Sequence, residues 1–69
     1  MKEFVYKNVV YNCEIIRNLK FLKYKFKSAT KGYTVVKVDS SFVAVYNQFV
    51  SISDDPFTAL KKLLDKLQG

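Results

Sequence analysis

The chain has 69 residues, a hydrophobic fraction of 49% and a formal net charge of +6. That length allows one domain, residues 1–69, burying roughly 60% of the surface its unfolded form exposes. The apolar content excludes a disordered tail, and the positive charge favours acidic partners: nucleic acid, an anionic surface or an acidic protein face.

From the N-terminus, Phe4-Val5-Tyr6 is a short apolar piece followed by Lys7-Asn8, a candidate two-residue hairpin turn because Asn tolerates a positive φ. Val9 to Arg17 alternates: Val9, Tyr11, Cys13 and Ile15 share the drier face of a strand, opposite Val10, Asn12, Glu14 and Ile16. A helix competes, since Val9, Cys13 and Ile16 share a helical stripe, but β-branched and aromatic content favours a strand.

Arg17-Asn18 reads as a turn and Lys20 to Ser28 as the next strand. Period two sends Leu22, Tyr24 and Phe26 to the core and aligns Lys23, Lys25 and Lys27 with Phe21 on the open face. Ala29-Thr30-Lys31-Gly32 reads as a hairpin connection in which Gly32 supplies a positive φ if one is needed. Tyr33 to Val38 is a strand, Asp39-Ser40-Ser41 a polar turn, and Phe42 to Tyr46 and Phe49 to Ile52 resume the strand pattern. Asn47-Gln48 between them is either a bulge in one long strand or a tight turn.

The C-terminus carries the clearest local signal. Asp55 suits an N-cap and Pro56 the first helical position. Phe57, Leu60, Leu63, Leu64 and Leu67 repeat at three and four, predicting a helix over 56–68 with one apolar stripe. Lys66 complements the helix dipole and Gly69 is placed to close the helix. The expected fold is α+β: an antiparallel sheet of three to five strands, all within 4–53, with one C-terminal helix packed on one face. The other face of that sheet is left uncovered.

The chain has no histidine and one cysteine, Cys13. Cys-His and Ser-His pairs, zinc spacings and an intrachain disulfide are therefore excluded. Cys13, on the apolar face, reads as a small buried hydrophobe. Helix capping accounts for Asp54-Asp55, and the two glycines, Gly32 and Gly69, make no phosphate loop. The expectation is a protein that is not an enzyme and needs no cofactor or metal. No apolar run reaches the roughly 20 residues that span a bilayer, and the N-terminus lacks the apolar centre of a secretory signal. A cytoplasmic protein without membrane association is expected.

The charge excess is local. Between Ile15 and Val38 there are seven cations (Arg17, Lys20, Lys23, Lys25, Lys27, Lys31 and Lys37) and no acid; elsewhere five cations meet six acids. The candidate site comprises Arg17, Phe21, Lys23, Tyr24, Lys25, Lys27 and Lys31. Alternate lysines on a strand stand about 6.6–6.8 Å apart, close to the phosphate spacing of a single nucleic-acid strand. Phe21 or Tyr24 would stack a base. The plainer reading is a wet strand face whose charges prevent aggregation. Scarce arginine argues against base readout, since only Arg17 offers a guanidinium fork.

From Gly32 to Gln68, the run Gly32-Tyr33-Thr34-Val35-Val36-Lys37-Val38, a turn, a second strand and then Asp54-Asp55-Pro56-Phe57-Thr58-Ala59-Leu60 resembles the strand-strand-capped-helix segment of HicB-type antitoxin domains. That resemblance implies a toxin as partner. The order of three strands and a helix is also similar to the amino-terminal DNA-binding domains of tyrosine recombinases, which implies a sheet laid in a major groove. The overall composition resembles small phage and mobile-element proteins, including inhibitors of host defence complexes. Two functions are thus expected: a small basic module binding nucleic acid or a nucleoprotein complex, or an inhibitor or antitoxin-like adaptor binding an acidic protein surface. Self-pairing through a strand edge is compatible with both.

Overall fold

The computed structural model describes residues 2–68. The chain is α+β, a six-stranded antiparallel sheet followed by one helix. The strands are β1 (Lys2–Tyr6), β2 (Val9–Arg17), β3 (Leu22–Lys27), β4 (Gly32–Val38), β5 (Ser41–Tyr46) and β6 (Phe49–Ser53), and the helix is α1 (Pro56–Gln68). Each strand pairs with its neighbours in sequence, so the sheet is a simple meander.

Six strands replace the expected three to five because two short pieces are complete strands. Tyr6 pairs with Val9 across Lys7-Asn8, whose φ values of 48° and 67° are the positive pair that a type I′ hairpin requires. Tyr46 pairs with Phe49 across Asn47-Gln48, with Asn47 at φ 55°, so this dipeptide is a tight turn and not a bulge. The β4–β5 turn is Asp39-Ser40, with Asp39 at φ 56°; Ser41 already pairs with Val38.

The two longer connections also differ from expectation. Asn18 Oδ1 accepts from the N–H groups of Lys20 (2.7 Å) and Phe21 (3.0 Å), so the β2–β3 turn runs on through Phe21 and the strand starts at Leu22. Ser28 N–H donates to Lys31 O (2.8 Å) and Lys31 N–H to Ser28 Oγ (3.1 Å), closing the β3–β4 turn one residue before Gly32. Gly32 therefore belongs to β4, opposite Lys27, and does not take the positive φ expected of it.

The helix begins as its sequence dictates. Asp55 Oδ2 accepts from the N–H (2.8 Å) and the hydroxyl (2.9 Å) of Thr58, satisfying one free donor of the first turn and contributing about 1 kcal/mol. Ala59, Leu60, Leu63 and Leu64 are buried, with Phe57 and Leu67 packed against the same core. The expected closure at Gly69 lies outside the described residues.

Helix position follows from side-chain size in the sheet. One register row on the helix-facing side reads Ile15, Tyr24, Val35, Ala44, Ser51 from β2 to β6; its β2 end lies beyond the helix, so Ile15, like Val9, is exposed and not dry as expected. The small residues lie in β5 and β6, and α1 packs most closely on those strands. On the β1–β3 side the wider space is filled by rings: Phe57 meets Phe4, Tyr24 and Phe26 at centroid distances of 5.9, 6.4 and 5.6 Å. Both edge strands reach consecutive helix residues. The Tyr6 hydroxyl of β1 donates to Asp65, while Lys66 Nζ donates to Val50 O of β6. A flat six-stranded sheet would be about 24 Å wide. A helix is only about 10–12 Å across, so the sheet curls around it.

Candidate functional site

Alternation assigns the outer, uncovered face. It carries Glu3 and Val5 from β1; Val10, Asn12, Glu14 and Ile16 from β2; and Lys23, Lys25 and Lys27 from β3. Thr34, Val36 and Val38 come from β4, Val43 and Val45 from β5, and Val50 and Ile52 from β6. The three lysines project together from the middle of the sheet.

Their neighbours are less uniform than the charge count implies. Glu14 stands opposite Lys25 on the β2 side, so one carboxylate abuts the row. On the β4 side, Lys23 lies in a register row that continues through Val36, Val43 and Ile52. Lys25 lies in a row that continues through Thr34, Val45 and Val50. The face is therefore a lysine strip bordered by a β-branched aliphatic field. Val45, Val50 and Ile52 are 49%, 43% and 57% exposed.

The aliphatic field is what sequence reasoning missed. Its signal was present in Tyr33-Thr34-Val35-Val36, Phe42-Val43-Ala44-Val45 and Phe49-Val50-Ser51-Ile52, which are apolar at both parities. A strand apolar on both faces reads as a continuous run and not as an alternation.

The other expected site residues divide. Phe21 lies just before β3 with its ring under Lys23 Nζ, 4.6 Å from the centroid, so aromatic and cation occupy each other. Tyr24 does not join the lysines. It faces the helix, 5.6 Å from the Phe42 ring and 6.4 Å from that of Phe57, because strand alternation sends it to the opposite side from Lys23 and Lys25. Arg17 ends β2 opposite Leu22, at the parity of the helix face, and is exposed. Lys31 lies in the turn beyond Lys27. Arg17 and Lys31 thus flank the two ends of β3 and share no face with its lysines by strand geometry.

Cys13 is 3% exposed, and burial pushes its thiol pKa up while the charge of Lys2 opposes the shift. Such a thiol is poorly suited to nucleophilic work. Tyr6 is pushed up to about 12, first by its hydrogen bond to Asp65 and then by burial. Tyr11 is raised by burial and by Tyr33, whose ring is 6.0 Å away. Among the described residues no group of three or more Cys, Asp or Glu is placed to hold a metal ion, and no helix is long and apolar enough to cross a membrane.

The β6 edge has its own geometry. Lys62 Nζ donates to Ile52 O (3.5 Å) and Lys66 Nζ to Val50 O, so two helix lysines reach across to this strand. Val50, Ser51, Ile52, Lys62, Asp65 and Lys66 line a groove of about 460 Å³. Ser51 is 3% exposed, and its hydroxyl has no hydrogen-bond partner among the described residues.

No protein-family model, curated protein or solved structure matches the chain.

Proposed function

We propose that the protein is a non-catalytic binding module that presents its uncovered sheet face to a protein carrying an acidic strip beside an apolar patch. The observation that carries this reading is the register continuity between Lys23 and Lys25 and the field formed by Val36, Val43, Val45, Val50 and Ile52. Exposed aliphatic side chains gain free energy when a partner removes them from water. Lysines beside them set orientation and speed encounter with an acidic partner. An inhibitor or adaptor acting on a larger complex would work this way.

Binding to nucleic acid is the second reading, favoured by the in-line spacing of Lys23, Lys25 and Lys27. It is weakened on this face because valine and isoleucine have no π-face on which a base stacks, and Phe21 already carries Lys23. If two copies pair through a strand edge, β1 suits the contact better than β6, whose carbonyls already accept from Lys62 and Lys66.

The test compares two variants: Lys23→Glu with Lys25→Glu and Lys27→Glu, and Val45→Glu with Ile52→Glu. Affinity capture from a host lysate is run with and without nuclease, with circular dichroism as the folding control. Loss of the captured protein in both variants, with nuclease leaving wild-type capture intact, supports the protein-binding reading. Capture that nuclease abolishes, together with salt-dependent binding to generic DNA or RNA, transfers support to nucleic acid.

A further inference from the structure

We infer that the β6 edge and the groove beneath it accept an extended acidic segment of a partner protein as an added strand. This site shares Val50 and Ile52 with the aliphatic field of the outer face but does not use the lysine strip of β3. The inference starts from backbone geometry. Tyr46 and Phe49 flank a two-residue turn, and such a pair exchanges both backbone bonds. Phe49, Ser51 and Ser53 therefore bond to β5, and the N–H and C=O groups of Val50 and Ile52 point outward from the sheet. Their carbonyls accept from the Lys66 and Lys62 ammonium groups.

An incoming strand would donate its own N–H groups to Val50 O and Ile52 O and release both lysines. Its alternate side chains would lie over the outer face beside exposed Val50 and Ile52, and over the groove. The groove position must receive two displaced ammonium groups and the unpartnered hydroxyl of Ser51. A carboxylate does both, accepting from Ser51 Oγ and from Lys62 or Lys66. Asp65 also lines the groove, and its carboxylate is engaged by the Tyr6 hydroxyl. The segment that fits alternates aliphatic and acidic residues.

A second copy of β6 does not meet this requirement. Phe49-Val50-Ser51-Ile52-Ser53 contains no acid, so pairing two β6 edges would strand four lysines without acceptors. The lysines thus act selectively: they oppose a neutral or basic strand and welcome an acidic one.

The test is an NMR titration of the isotope-labelled full chain with an end-capped peptide of alternating valine and aspartate. Saturable shifts are expected at the amides of residues 50–53 and 62–66. Affinity should fall about tenfold or more when asparagine replaces aspartate, and again for the wild-type peptide with Lys62→Ala and Lys66→Ala combined. Ser51→Ala should weaken binding with no loss of fold. Equal affinity for the aspartate and asparagine peptides, or no shift at these amides, overturns the inference. So do shifts that map to Lys23, Lys25 and Lys27, which would instead report on the outer face. Self-association of the double lysine variant without peptide binding would show that the lysines only guard the edge.

Discussion

Phe4 and Phe57 give the sharpest test of the curled sheet. Phe4 lies in β1 and Phe57 in the first turn of α1, with ring centroids 5.9 Å apart and planes tilted by 38°. A well-placed aromatic pair contributes about 0.5–1.5 kcal/mol beyond the area it buries. Phe57→Leu also loosens the contacts with Tyr24 and Phe26, and Phe4→Leu those with Tyr11 and Phe26. Each single variant should be clearly destabilised, but by less than the roughly 3–5 kcal/mol of a buried Phe→Ala change, because leucine keeps most of the apolar volume. A domain of this size holds about 3–10 kcal/mol in all, and each kcal/mol lost lowers Tm by about 4–8 °C. The decisive quantity is the coupling. Urea unfolding of the wild type, both single variants and the double variant should show the double less destabilised than the sum by about 0.5–1.5 kcal/mol, at equal m. Additivity within about 0.3 kcal/mol would refute the contact between β1 and the helix, and with it the curl that brings both sheet edges to one helix.

Three further outcomes are expected. Tyr6 carries a pKa raised to about 12, above its ordinary value, so its bond to Asp65 stabilises the fold fully below pH 10 and is lost as pH rises through 12; tyrosinate absorbance should show a ring titrating near 12 that is absent in Tyr6→Phe, and an unchanged titration in that variant would contradict the assignment. Cys13 should resist alkylation by iodoacetamide in the native state and react on unfolding, since it is 3% exposed with a raised thiol pKa; equal rates in both states would place it elsewhere. Lys7→Asn with Asn8→Gly should raise stability by about 0.5–1 kcal/mol, because a lysine at φ 48° is strained and Asn-Gly is not; a lowered Tm would show that the exposed Lys7–Gln68 contact outweighs that strain.

How much was legible varies with the range of the interaction. The helix was readable to its cap, because Asp55, Pro56 and the leucine spacing act within a few residues. The Lys7-Asn8 hairpin was readable for the same reason. Asn47-Gln48 was ambiguous in sequence because a bulge and a turn use the same residue types; pairing of Tyr46 with Phe49 decides it. The lysine row was readable by period two, and so was the orientation of Tyr24 towards the core, which separates it from the lysines.

The amino-acid sequence by itself determined the class of the fold, the helix and its buried stripe, and the common face of Lys23, Lys25 and Lys27. Each follows from a local periodicity or cap. Only the tertiary structure decided what stands beside those lysines. Register across three strand pairs joins them to Val36, Val43, Val45, Val50 and Ile52, and no window along the chain contains that relation. The same holds for the β6 edge, where Lys62 and Lys66 meet Ile52 and Val50 because small residues at Ala44 and Ser51 let the helix settle against β5 and β6. Side-chain volume summed over the whole core sets that position.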